Sequence, residues 1–578
     1  MQFVRRQFQL LGLLKHEFDG YNTTSLRGDV LAGITVAAVA LPLALAFGVA
    51  SGATAAAGLV TAILAGFLIG GLGGAGYQIS GPTGAMSAVL IVLANRYGLE
   101  GVWGAGLMAG IIILLLGVFD LGQIVNFIPT AVIAGFTSGI AVIIFIGQID
   151  NLLGVHTEAA ENALVKLSHY FRFDYTPNLA AVGISLLVIL IMVFWPKKWS
   201  ARFPGSLLAL IVATVIAAAF SLNVPVIGAI PQTILLDERL HPANIPWDHL
   251  TELIAPALSI AALGAIESLL CGTVAGRMTG VKLVPNQELI AQGIGNIVIP
   301  FFGGVPATAA IARTSVAVKS GAKTRVVSIV HSLVLLLAAL VLAPVLSRVP
   351  LAALAGILTV TAWRMNEWTE IRHIFGRRFK SAMFAFTSTL IATAALDLTQ
   401  AIILGIGLSA VIFVFQISRA KIVLSPVLQD KMRAQGYEIR SKSDGILVVY
   451  VIGPLFFGTV NTFNQVLANL DGVKDIILSL RTVPLIDTTG IGAIEDLIKR
   501  VEDAGGRVYL SGLNDPVRSY LQRASVINHL GEDHVFWNAF DAIVAADRYR
   551  AGLAPTSTNG AGSESQPAAS SPAVNAPE

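Results

Sequence analysis

Long apolar stretches separated by short polar segments occupy most of the chain between residues 30 and 416. A membrane-spanning helix needs about 20 predominantly apolar residues, so this pattern predicts a polytopic α-helical membrane protein. The apolar runs cover 30–50, 56–75, 82–95, 101–118, 129–149, 179–195, 205–222, 256–275, 288–302, 307–318, 326–346, 350–363, 382–396 and 399–416. They predict fourteen spans, several of them short.

Two of these runs are interrupted by Gly, Pro and Thr at corresponding places in the two halves of the apolar region. The interruptions are 78–86 (Gln-Ile-Ser-Gly-Pro-Thr-Gly-Ala-Met) and 303–314 (Gly-Gly-Val-Pro-Ala-Thr-Ala-Ala-Ile-Ala-Arg-Thr). A single break of this kind is more often a kink. Irregular backbone at membrane depth is tolerated where it lines a polar cavity, and a helix restarting there presents roughly half a positive charge. Two such breaks predict an anion site near the membrane midplane.

Two charged side chains inside the apolar runs, Glu267 and Arg313, are candidates for function. An ionisable residue within a membrane is a functional-site hypothesis by default, because it is costly to bury. Arg313 is expected to attract an anion over a long range or to pair with Glu267, and the two roles can coexist. Glu267 is expected to be protonated, paired or facing water.

Composition agrees with a membrane protein. Hydrophobic residues make up 55% of the chain and charged residues 13%, with a mean hydropathy of +0.74. Soluble domains average about 25% charged residues. A formal net charge of +3 gives no reason to expect a nucleic-acid partner. The first 28 residues lack the pattern of a cleavable signal peptide, and a lone Cys271 excludes an intrachain disulfide.

The basic residues of the predicted loops indicate the orientation of the chain. With the N-terminus inside and Arg313 left out, 19 Lys and Arg residues fall on the inner side and 5 on the outer side. Since basic residues are enriched on the cytoplasmic side, both termini are predicted to be cytoplasmic, in a multi-pass protein of the inner (plasma) membrane. Seven spans per half is an odd number, so the two halves must cross the bilayer in opposite senses.

After Lys421 the pattern changes to that of a soluble α/β domain. Short β-branched runs predict buried strands, and amphipathic stretches between them predict helices. The strands are 445–452, 475–480 and 507–511, and the helices are 460–470 and 491–501. From Ala551 onward the chain is rich in Ala, Pro, Ser, Asn and Gly and is predicted to be disordered.

Several segments resemble the SulP family of sulfate permeases and related anion transporters. They are Ala40–Gly52 (Ala-Leu-Pro-Leu-Ala-Leu-Ala-Phe-Gly-Val-Ala-Ser-Gly), Ser80–Gly84 (Ser-Gly-Pro-Thr-Gly), Leu263–Ser268 (Leu-Gly-Ala-Ile-Glu-Ser) and 303–314. Leu485–Gly490 (Leu-Ile-Asp-Thr-Thr-Gly) resembles the signature of the C-terminal STAS (sulfate transporter and anti-sigma antagonist) domain of that family. The resemblance runs from about residue 20 to residue 548.

The resemblance implies a fold and a division into domains. Members of the family have a seven-plus-seven inverted repeat with a core domain (spans 1–4 and 8–11) and a gate domain (spans 5–7 and 12–14). They are usually homodimers that work by elevator-like alternating access. The expected domains are a cytoplasmic N-terminal segment (1–26), a transmembrane anion transporter domain (27–418), a linker (419–440), a cytoplasmic α/β STAS domain (441–550) and a disordered tail (551–578).

The resemblance also implies an anion site between the third and tenth spans, with the first and eighth spans as walls. The residues expected to bind the anion are Thr83, Gly84, Ala309, Ala310, Ile311, Arg313 and Phe47. Backbone amides and helix ends can hold an anion without a full compensating charge. The alternative for Phe47 is a plain core residue.

Glu267 is expected to carry the coupled ion. In sodium-coupled bicarbonate members of the family, an acid at this place is followed one turn later by a hydroxyl residue, with another hydroxyl on the tenth span. Here these positions are Glu267, Cys271 and Ile311. Neither Cys nor Ile is a ligand for a hard cation, which prefers oxygen. Proton-coupled symport is therefore favoured over sodium coupling, with exchange or uncoupled transport still open.

Thr488 is the candidate regulatory residue of the C-terminal domain. In anti-sigma antagonists the hydroxyl residue after the Asp is phosphorylated, and here Thr488 follows Asp487. The alternative is that Asp487 or a Thr caps the next helix. The sequence contains no Walker A loop, metal-binding cluster or nucleophile–base pattern, so no enzyme activity, cofactor or metal is expected.

Together these features predict a secondary active transporter of small anions, with a sulfate-type inorganic anion favoured. A bicarbonate (Na⁺-coupled) or dicarboxylate transporter is the alternative. Three alternatives with other functions are an anion channel, a nucleobase permease and a signalling protein whose membrane part anchors the C-terminal domain. The expected partners are the anion, H⁺ or Na⁺, the lipid bilayer and a second copy of the chain.

Overall fold

The computed structural model describes residues 2–123, 129–157, 163–171, 175–196, 203–244, 248, 250–396, 398–418, 421–440, 445–468 and 474–553. The chain divides into two compact units, Met1–Ser409 and Ala410–Glu578. The tail predicted to be disordered falls outside the described residues from position 554 onward.

Helices build the first unit. In chain order they are α1 (Gln2–Glu17), α2 (Thr23–Ala50), α3 (Ala55–Leu72), α4 (Gly84–Val118), α5 (Thr130–Gly147), α6 (Ile149–Leu153), α7 (Ala163–Tyr170), α8 (Leu179–Phe194), α9 (Gly205–Ala219), α10 (Leu250–Thr279), α11 (Pro285–Val298), α12 (Ile311–Lys319), α13 (Val326–Leu346), α14 (Leu351–Met365), α15 (Trp368–Gly376), α16 (Lys380–Ala395) and α17 (Leu398–Ile417). The last of these continues past the boundary between the units.

Six helical stretches in the described part of the chain are long and apolar enough to cross a membrane. They are α2, α3, α4, α5 with α6, α10 and α13. Shorter apolar helices are α8, α9, α14 and the end of α17. These helices agree with the prediction of a polytopic membrane protein.

Helix α4 combines two of the predicted apolar runs. Gly98 has φ 67° and ψ −172°, so the helical geometry is broken at this residue. A positive φ is a conformation that glycine adopts without the steric cost of a Cβ. The polar gap that separates the runs 82–95 and 101–118 in the sequence is therefore a break within one helical stretch.

The helices pack in two groups. In one group α4 packs against α10 and α11, and α13 packs against α2 and α3. In the other, α5 packs against α16, and α8 packs against α9 and α14. Helix α14 also contacts α2, and α5 contacts α4, so the two groups meet along these helices.

Small residues allow the close packing of α2 against α3. A Cβ added at Gly48 would lie 2.9 Å from the Cα of Gly58, and one at Gly58 would lie 2.7 Å from the Cα of Gly48. Such close backbone approach is typical of helix contacts in membranes. There, small residues allow the van der Waals packing that drives helix association in place of the hydrophobic effect.

The second unit contains a five-stranded sheet. Its strands are β3 (Lys421–Pro426), β4 (Ile446–Ile452), β5 (Asp475–Thr482), β6 (Arg507–Ser511) and β7 (Val535–Phe536), in that order across the sheet. Strand β3 is antiparallel to β4, and the remaining pairs are parallel. Its helices are α18 (Gln429–Ala434), α19 (Val460–Val466), α20 (Thr488–Asp503), α21 (Asp515–Arg523), α22 (Val526–Leu530) and α23 (Ala539–Arg550).

The three strands predicted for the C-terminal domain and the helix predicted over 491–501 are confirmed. The helix predicted over 460–470 ends at Val466, and residues 469–470 lie outside the described residues. One difference concerns the segment 419–440, which was expected to be a linker. Residues 421–426 pair along their whole length with β4, so part of this segment is an edge strand of the sheet. Residues 419–420 lie outside the described residues.

Candidate functional site

The two interrupted segments meet as a short antiparallel pair of strands. Strand β1 (Ser80–Gly81) pairs with β2 (Thr308–Ala309) in the register Ser80 to Ala309 and Gly81 to Thr308. The amide of Ala310 extends the pairing by donating to the carbonyl oxygen of Ile79 at 2.9 Å. Both strands are buried. The breaks thus satisfy each other's backbone groups, as buried irregular backbone must.

This pairing brings two helix N-termini to one place. Helix α4 begins at Gly84, three residues after β1 ends, and α12 begins at Ile311, two residues after β2 ends. The first backbone N–H groups of a helix have no partner within the helix. Together with the two helix dipoles, they create a site of positive potential that suits an anion.

Thr83 caps α4 and contacts Glu267. Its Oγ1 accepts from the amide of Met86 at 3.4 Å and donates to Oε2 of Glu267 at 3.0 Å. Thr83 is buried, whereas Glu267 on α10 is partly exposed. The hydroxyl therefore links the N-terminus of one helix to a carboxylate on another, and its proton is engaged in this state.

Arg313 lies on α12 and reaches back to the segment in front of α4. Its Nη2 donates to the carbonyl oxygen of Pro82 at 2.9 Å, and the residue is 1% exposed. Within the described residues, Nη1 has no hydrogen-bond partner. A Cβ at Gly81 would lie 2.7 Å from Nη1, so glycine makes room for the guanidinium.

The expected pairing of Arg313 with Glu267 is not seen. None of the ion pairs found among the described residues joins these two side chains. The hydrogen bond to Pro82 takes its place, since it lies within reach of the long arginine side chain and satisfies a carbonyl that precedes a helix start. Arg313 therefore fixes one helix N-terminus relative to the other.

Two of the amides expected to bind the anion are already bonded. Ala309 donates its N–H to Oγ of Ser268 at 3.3 Å, and Ala310 donates to Ile79. A donor occupied inside the protein cannot serve a ligand, so this part of the expectation is corrected. By helix geometry, the N–H groups left at the start of α12 are those of Ile311, Ala312 and Arg313.

Phe47 lies against the start of α4. A Cβ added at Gly84 would lie 3.1 Å from Cε1 of Phe47, 2.5 Å from Cδ1 of Ile144 and 3.1 Å from Sδ of Met365. Ile144 belongs to α5 and Met365 to α14. The first helical residue of α4 is thus enclosed by side chains from both groups of helices, and Phe47 forms part of that enclosure.

The positions that would complete a sodium site hold other contacts. The thiol of Cys271 donates to Oγ1 of Thr314 at 3.3 Å, and the same oxygen accepts from the amide of Ile79 at 3.0 Å. Thr314 therefore binds the backbone next to β1. Oγ1 of Thr314 is therefore already engaged in hydrogen bonds within the protein.

Helix α11 carries a row of buried polar residues that were not predicted from the sequence. Glu288, Gln292 and Asn296 follow one another at intervals of four and are each 1% exposed or less. Residues spaced by four share one face of a helix, so this spacing inside an apolar run was the signal that could have revealed them. They lie behind β1 and β2, bonded to residues in or beside the two strands.

Thr488 lies at the start of α20 in the C-terminal unit and is exposed. Asp487 caps this helix, with Oδ1 accepting from the amide of Gly490 at 2.8 Å. A pocket of about 440 Å³ adjoins the two residues and is lined by Leu485, Ile486, Asp487, Thr488, Pro516 and Tyr520. The cap predicted for Asp487 is confirmed, and the phosphorylation of Thr488 stays a prediction.

Comparison with known proteins identifies the family. The model of the sulfate permease family matches residues 26–389, and that of the STAS domain matches residues 439–540. The chain belongs to the sulfate permease family. Within this family it is 36% identical over 539 residues to the putative sulfate transporter YvdB of Bacillus subtilis (strain 168), covering 90% of this chain and 97% of the relative.

The chain is also similar to a transporter of a different anion. The bicarbonate transporter BicA of Picosynechococcus sp. is 28% identical over 536 residues, covering 90% of this chain and 94% of that protein. These relatives are transporters and not enzymes, which fits the expectation that the chain has no enzyme activity.

Solved structures share the fold of this chain. The transmembrane domain of a cyanobacterial bicarbonate transporter BicA aligns with a TM-score of 0.61 at 30% identity, covering 66% of this chain and 98% of that one. The murine Solute Carrier 26 family member A9 anion transporter aligns with a TM-score of 0.84 at 20% identity, covering 94% of each chain. The chain is therefore a multi-pass membrane protein of the anion transporter class with a C-terminal STAS domain.

Proposed function

We propose that this protein is a secondary active transporter of a small anion, with a sulfate-type inorganic anion as substrate. The observation that carries the proposal is the antiparallel pairing of β1 with β2, since α4 and α12 begin within two or three residues of the ends of these strands. An anion held there by backbone amides gains stabilisation from both helix ends.

Each candidate residue has a distinct role in this site. Gly84 and Ile311 supply backbone N–H groups at the starts of the two helices, and Ala312 adds a third. Arg313 contributes its charge at longer range while its Nη2 holds Pro82. Phe47 forms an apolar wall beside Gly84. Because most donors belong to the backbone, a compact anion with several acceptor oxygens suits the site best.

The hydrogen bond between Thr83 and Glu267 offers a way to couple the anion to a proton. When Glu267 is ionised, its Oε2 accepts a hydrogen bond from the hydroxyl of Thr83. When Glu267 is protonated it can donate to that oxygen, because a hydroxyl accepts two hydrogen bonds and donates one. The hydroxyl of Thr83 could then keep the bond from Met86 and turn its own proton toward the anion.

Protonation of Glu267 also removes a negative charge from the neighbourhood of the anion. Both effects favour binding of the proton and the anion together, which is the requirement for symport. Sodium coupling is less well supported, because the thiol of Cys271 already donates to Thr314 and Ile311 offers no side-chain oxygen. Proton-coupled transport is therefore the favoured form.

Bicarbonate is the second candidate substrate. A relative that shares 28% of its residues over 90% of this chain is a bicarbonate transporter, and the same backbone donors would suit that anion. A dicarboxylate would place one carboxylate between the helix ends. The donors of the site thus recognise an anionic group and discriminate little between the candidate substrates.

The proposed mechanism is elevator-like alternating access between a core and a gate. The two groups of packed helices support this division, with the site carried by the group that contains α4, α10 and α12. Fourteen spans in an inverted repeat, cytoplasmic termini and a homodimer belong to the same proposal. The STAS domain would regulate transport, with Thr488 as its site of phosphorylation.

Uptake into proteoliposomes tests the proposed function. Labelled sulfate, bicarbonate and succinate are offered separately, under an imposed H⁺ gradient, an imposed Na⁺ gradient or neither. We expect sulfate to accumulate above its external concentration when the H⁺ gradient is inward. Flux that only equilibrates the anion would indicate a channel, and no flux of any of the three anions would contradict the proposal.

A further inference from the structure

Glu288 on α11 is a buried carboxylate surrounded by donors. Its Oε2 accepts from the amide of Gly74 at 2.9 Å, and its Oε1 accepts from Nε2 of Gln78 at 2.9 Å and from Nε2 of Gln292 at 3.0 Å. The side chain is 1% exposed. An ionised carboxylate accepts hydrogen bonds only, so these N–H groups match its charged form.

The two glutamines connect Glu288 to the paired strands through further hydrogen bonds. Nε2 of Gln78 also donates to the carbonyl oxygen of Ser268 at 3.2 Å. Nε2 of Gln292 also donates to Oγ of Ser80, which lies in β1, at 3.1 Å. Each amide nitrogen therefore joins Glu288 to an element of the candidate site, one through α10 and the other through β1.

Ser268 continues the connection to the second strand. Its Oγ lies 2.9 Å from Oγ1 of Thr308 and accepts from the amide of Ala309 at 3.3 Å, and both partners form β2. Asn296, on the same face of α11, donates to the carbonyl oxygen of Ala307 at 3.0 Å and accepts from the amide of that residue at 2.7 Å. Both strands are thus bonded to one polar face of α11 or to its partners.

The orientation of the two amides depends on Glu288. Within the described residues, Oε1 of Gln78 and Oε1 of Gln292 have no hydrogen-bond partner, although both side chains are buried. A buried acceptor left without a donor is costly. The amides keep this orientation because their nitrogens face a carboxylate, and without that charge each amide could turn over and release Ser268 or Ser80.

We propose that Glu288 is a positioning residue that fixes the two helix N-termini of the anion site through Gln78 and Gln292. The inference rests on the proposed anion site and adds a residue that does not touch the ligand. It differs from a proton-carrying role, because Glu288 has three donors and little contact with water. Glu267, in contrast, has Thr83 as its donor and is partly exposed.

The test compares the full-length wild type with Glu288→Gln, the conservative Glu288→Asp and the double variant Gln78→Glu/Glu288→Gln. Glu238→Gln is the matched control, because Glu238 is an exposed glutamate. Two quantities are measured on each purified protein. One is backbone amide hydrogen exchange in the segments 79–84 and 307–311, and the other is the affinity for labelled sulfate.

We expect Glu288→Gln to increase exchange in both segments while α5 and α16 keep wild-type protection. Sulfate affinity should fall by at least about tenfold, the expected size for a lost bond to a charged group. The double variant returns a carboxylate to the cluster but should not restore protection of 307–311, because a carboxylate at position 78 cannot donate to the carbonyl oxygen of Ser268. Glu288→Asp should fall between wild type and Glu288→Gln, and Glu238→Gln should behave as wild type.

Two results separate the inference from the proposed function. If wild type binds sulfate and Glu288→Gln shows unchanged exchange and unchanged affinity, the positioning role is wrong while the transporter proposal stands. If wild type does not bind sulfate but exchange rises in the two segments of Glu288→Gln, the positioning role is supported and the proposed substrate is wrong. A uniform rise in exchange over the whole membrane part would also overturn the inference, because it would indicate general destabilisation.

Discussion

Thr83 and Glu267 are joined by a hydrogen bond of 3.0 Å between a helix cap and a carboxylate on another helix. The same hydroxyl oxygen accepts from the amide of Met86, so the bond bears directly on the first turn of α4. A change in the protonation of Glu267 therefore reaches the helix N-terminus through a single atom. Glu267 and the N-terminus of α4 are thus linked by the hydroxyl of Thr83.

Replacing Thr83 by Val should weaken anion binding. Valine keeps the size of the side chain but removes both the cap and the donor that protonated Glu267 would release toward the anion. We expect a loss of roughly 10- to 150-fold in affinity, corresponding to about 1.5–3 kcal/mol. Equilibrium binding of labelled sulfate to the purified protein measures it.

Thr35→Val is the matched control, since Thr35 is a half-buried residue of α2 whose hydroxyl donates to the carbonyl oxygen of Leu31 in the same helix. Arg313→Ala should lower affinity as well, through loss of its charge and of the bond to Pro82. Unchanged affinity in both the Thr83 and the Arg313 variants would contradict the assignment of the site.

Replacing Glu267 by Gln should separate binding from coupling. A glutamine oxygen can still accept the bond from Thr83, so anion affinity should stay within about fivefold, or about 1 kcal/mol. The amide cannot titrate, so accumulation driven by an inward H⁺ gradient should be lost while counterflow persists. Uptake with the pH gradient and the Na⁺ gradient varied separately is the measurement.

The pH dependence of binding gives an independent check on Glu267. If protonation favours the anion, wild-type affinity should rise as pH falls, and that of Glu267→Gln should stay flat. Glu100→Gln, at an exposed position, should follow wild type. Wild-type uptake that responds to Na⁺ and ignores the pH gradient would restore sodium coupling.

Replacing Gly84 by Ala should slow transport. The added Cβ would lie 2.5 Å from Cδ1 of Ile144 and 3.1 Å from Sδ of Met365, which belong to the opposite group of helices. In the proposed mechanism, relative movement of the two groups requires this contact to open and close. We therefore expect the rate of anion exchange across the membrane to fall at least tenfold, equivalent to about 1.4 kcal/mol in the barrier. Gly183→Ala is the control, because a Cβ there meets nothing within 4 Å. An unchanged rate would show that the contact does not limit movement.

Removing the C-terminal unit should leave anion binding intact. The sheet begins at Lys421, so a stop before this residue removes the domain without leaving an unpaired edge strand. We expect the shortened protein to insert and to bind sulfate, with slower transport or lower thermal stability. A stop after Leu424 would leave four residues of β3 without a partner and should aggregate more readily. Loss of binding in a well-folded protein truncated before Lys421 would refute this division of roles.

The sequence predicted the elements of the site better than their contacts. The breaks around Pro82 and Pro306 were visible because proline and glycine interrupt apolar runs. Thr83 lies within one of these breaks, and Glu267 stood out as a charged residue inside another apolar run. The engagement of Ala309 and Ala310 could not be read from the chain. It depends on Ser268 and Ile79, which are brought close only by tertiary packing.

The same limit applies elsewhere in the chain. The bond of Arg313 to Pro82 joins residues 231 positions apart, so the nearer carboxylate in the sequence appeared the better partner. The strand at 421–426 has no fully buried position, and its weak alternation of polar and apolar residues did not indicate a strand. Glu288 was visible as a residue, but its role depends on donors supplied by distant segments.

The antiparallel pair β1 and β2 has a consequence for how the protein can evolve. Since backbone hydrogen bonds join its two halves, the proposed elevator-like movement would carry the two helix N-termini as one piece, and their preference for an anion would be set by main-chain atoms that every residue has. In the same proposal, the rate of transport would depend on the contact of this piece with the other group of helices, where Ile144 and Met365 lie. Substitution of Ile144 or Met365 would then change the rate of transport while the preference for an anion is kept.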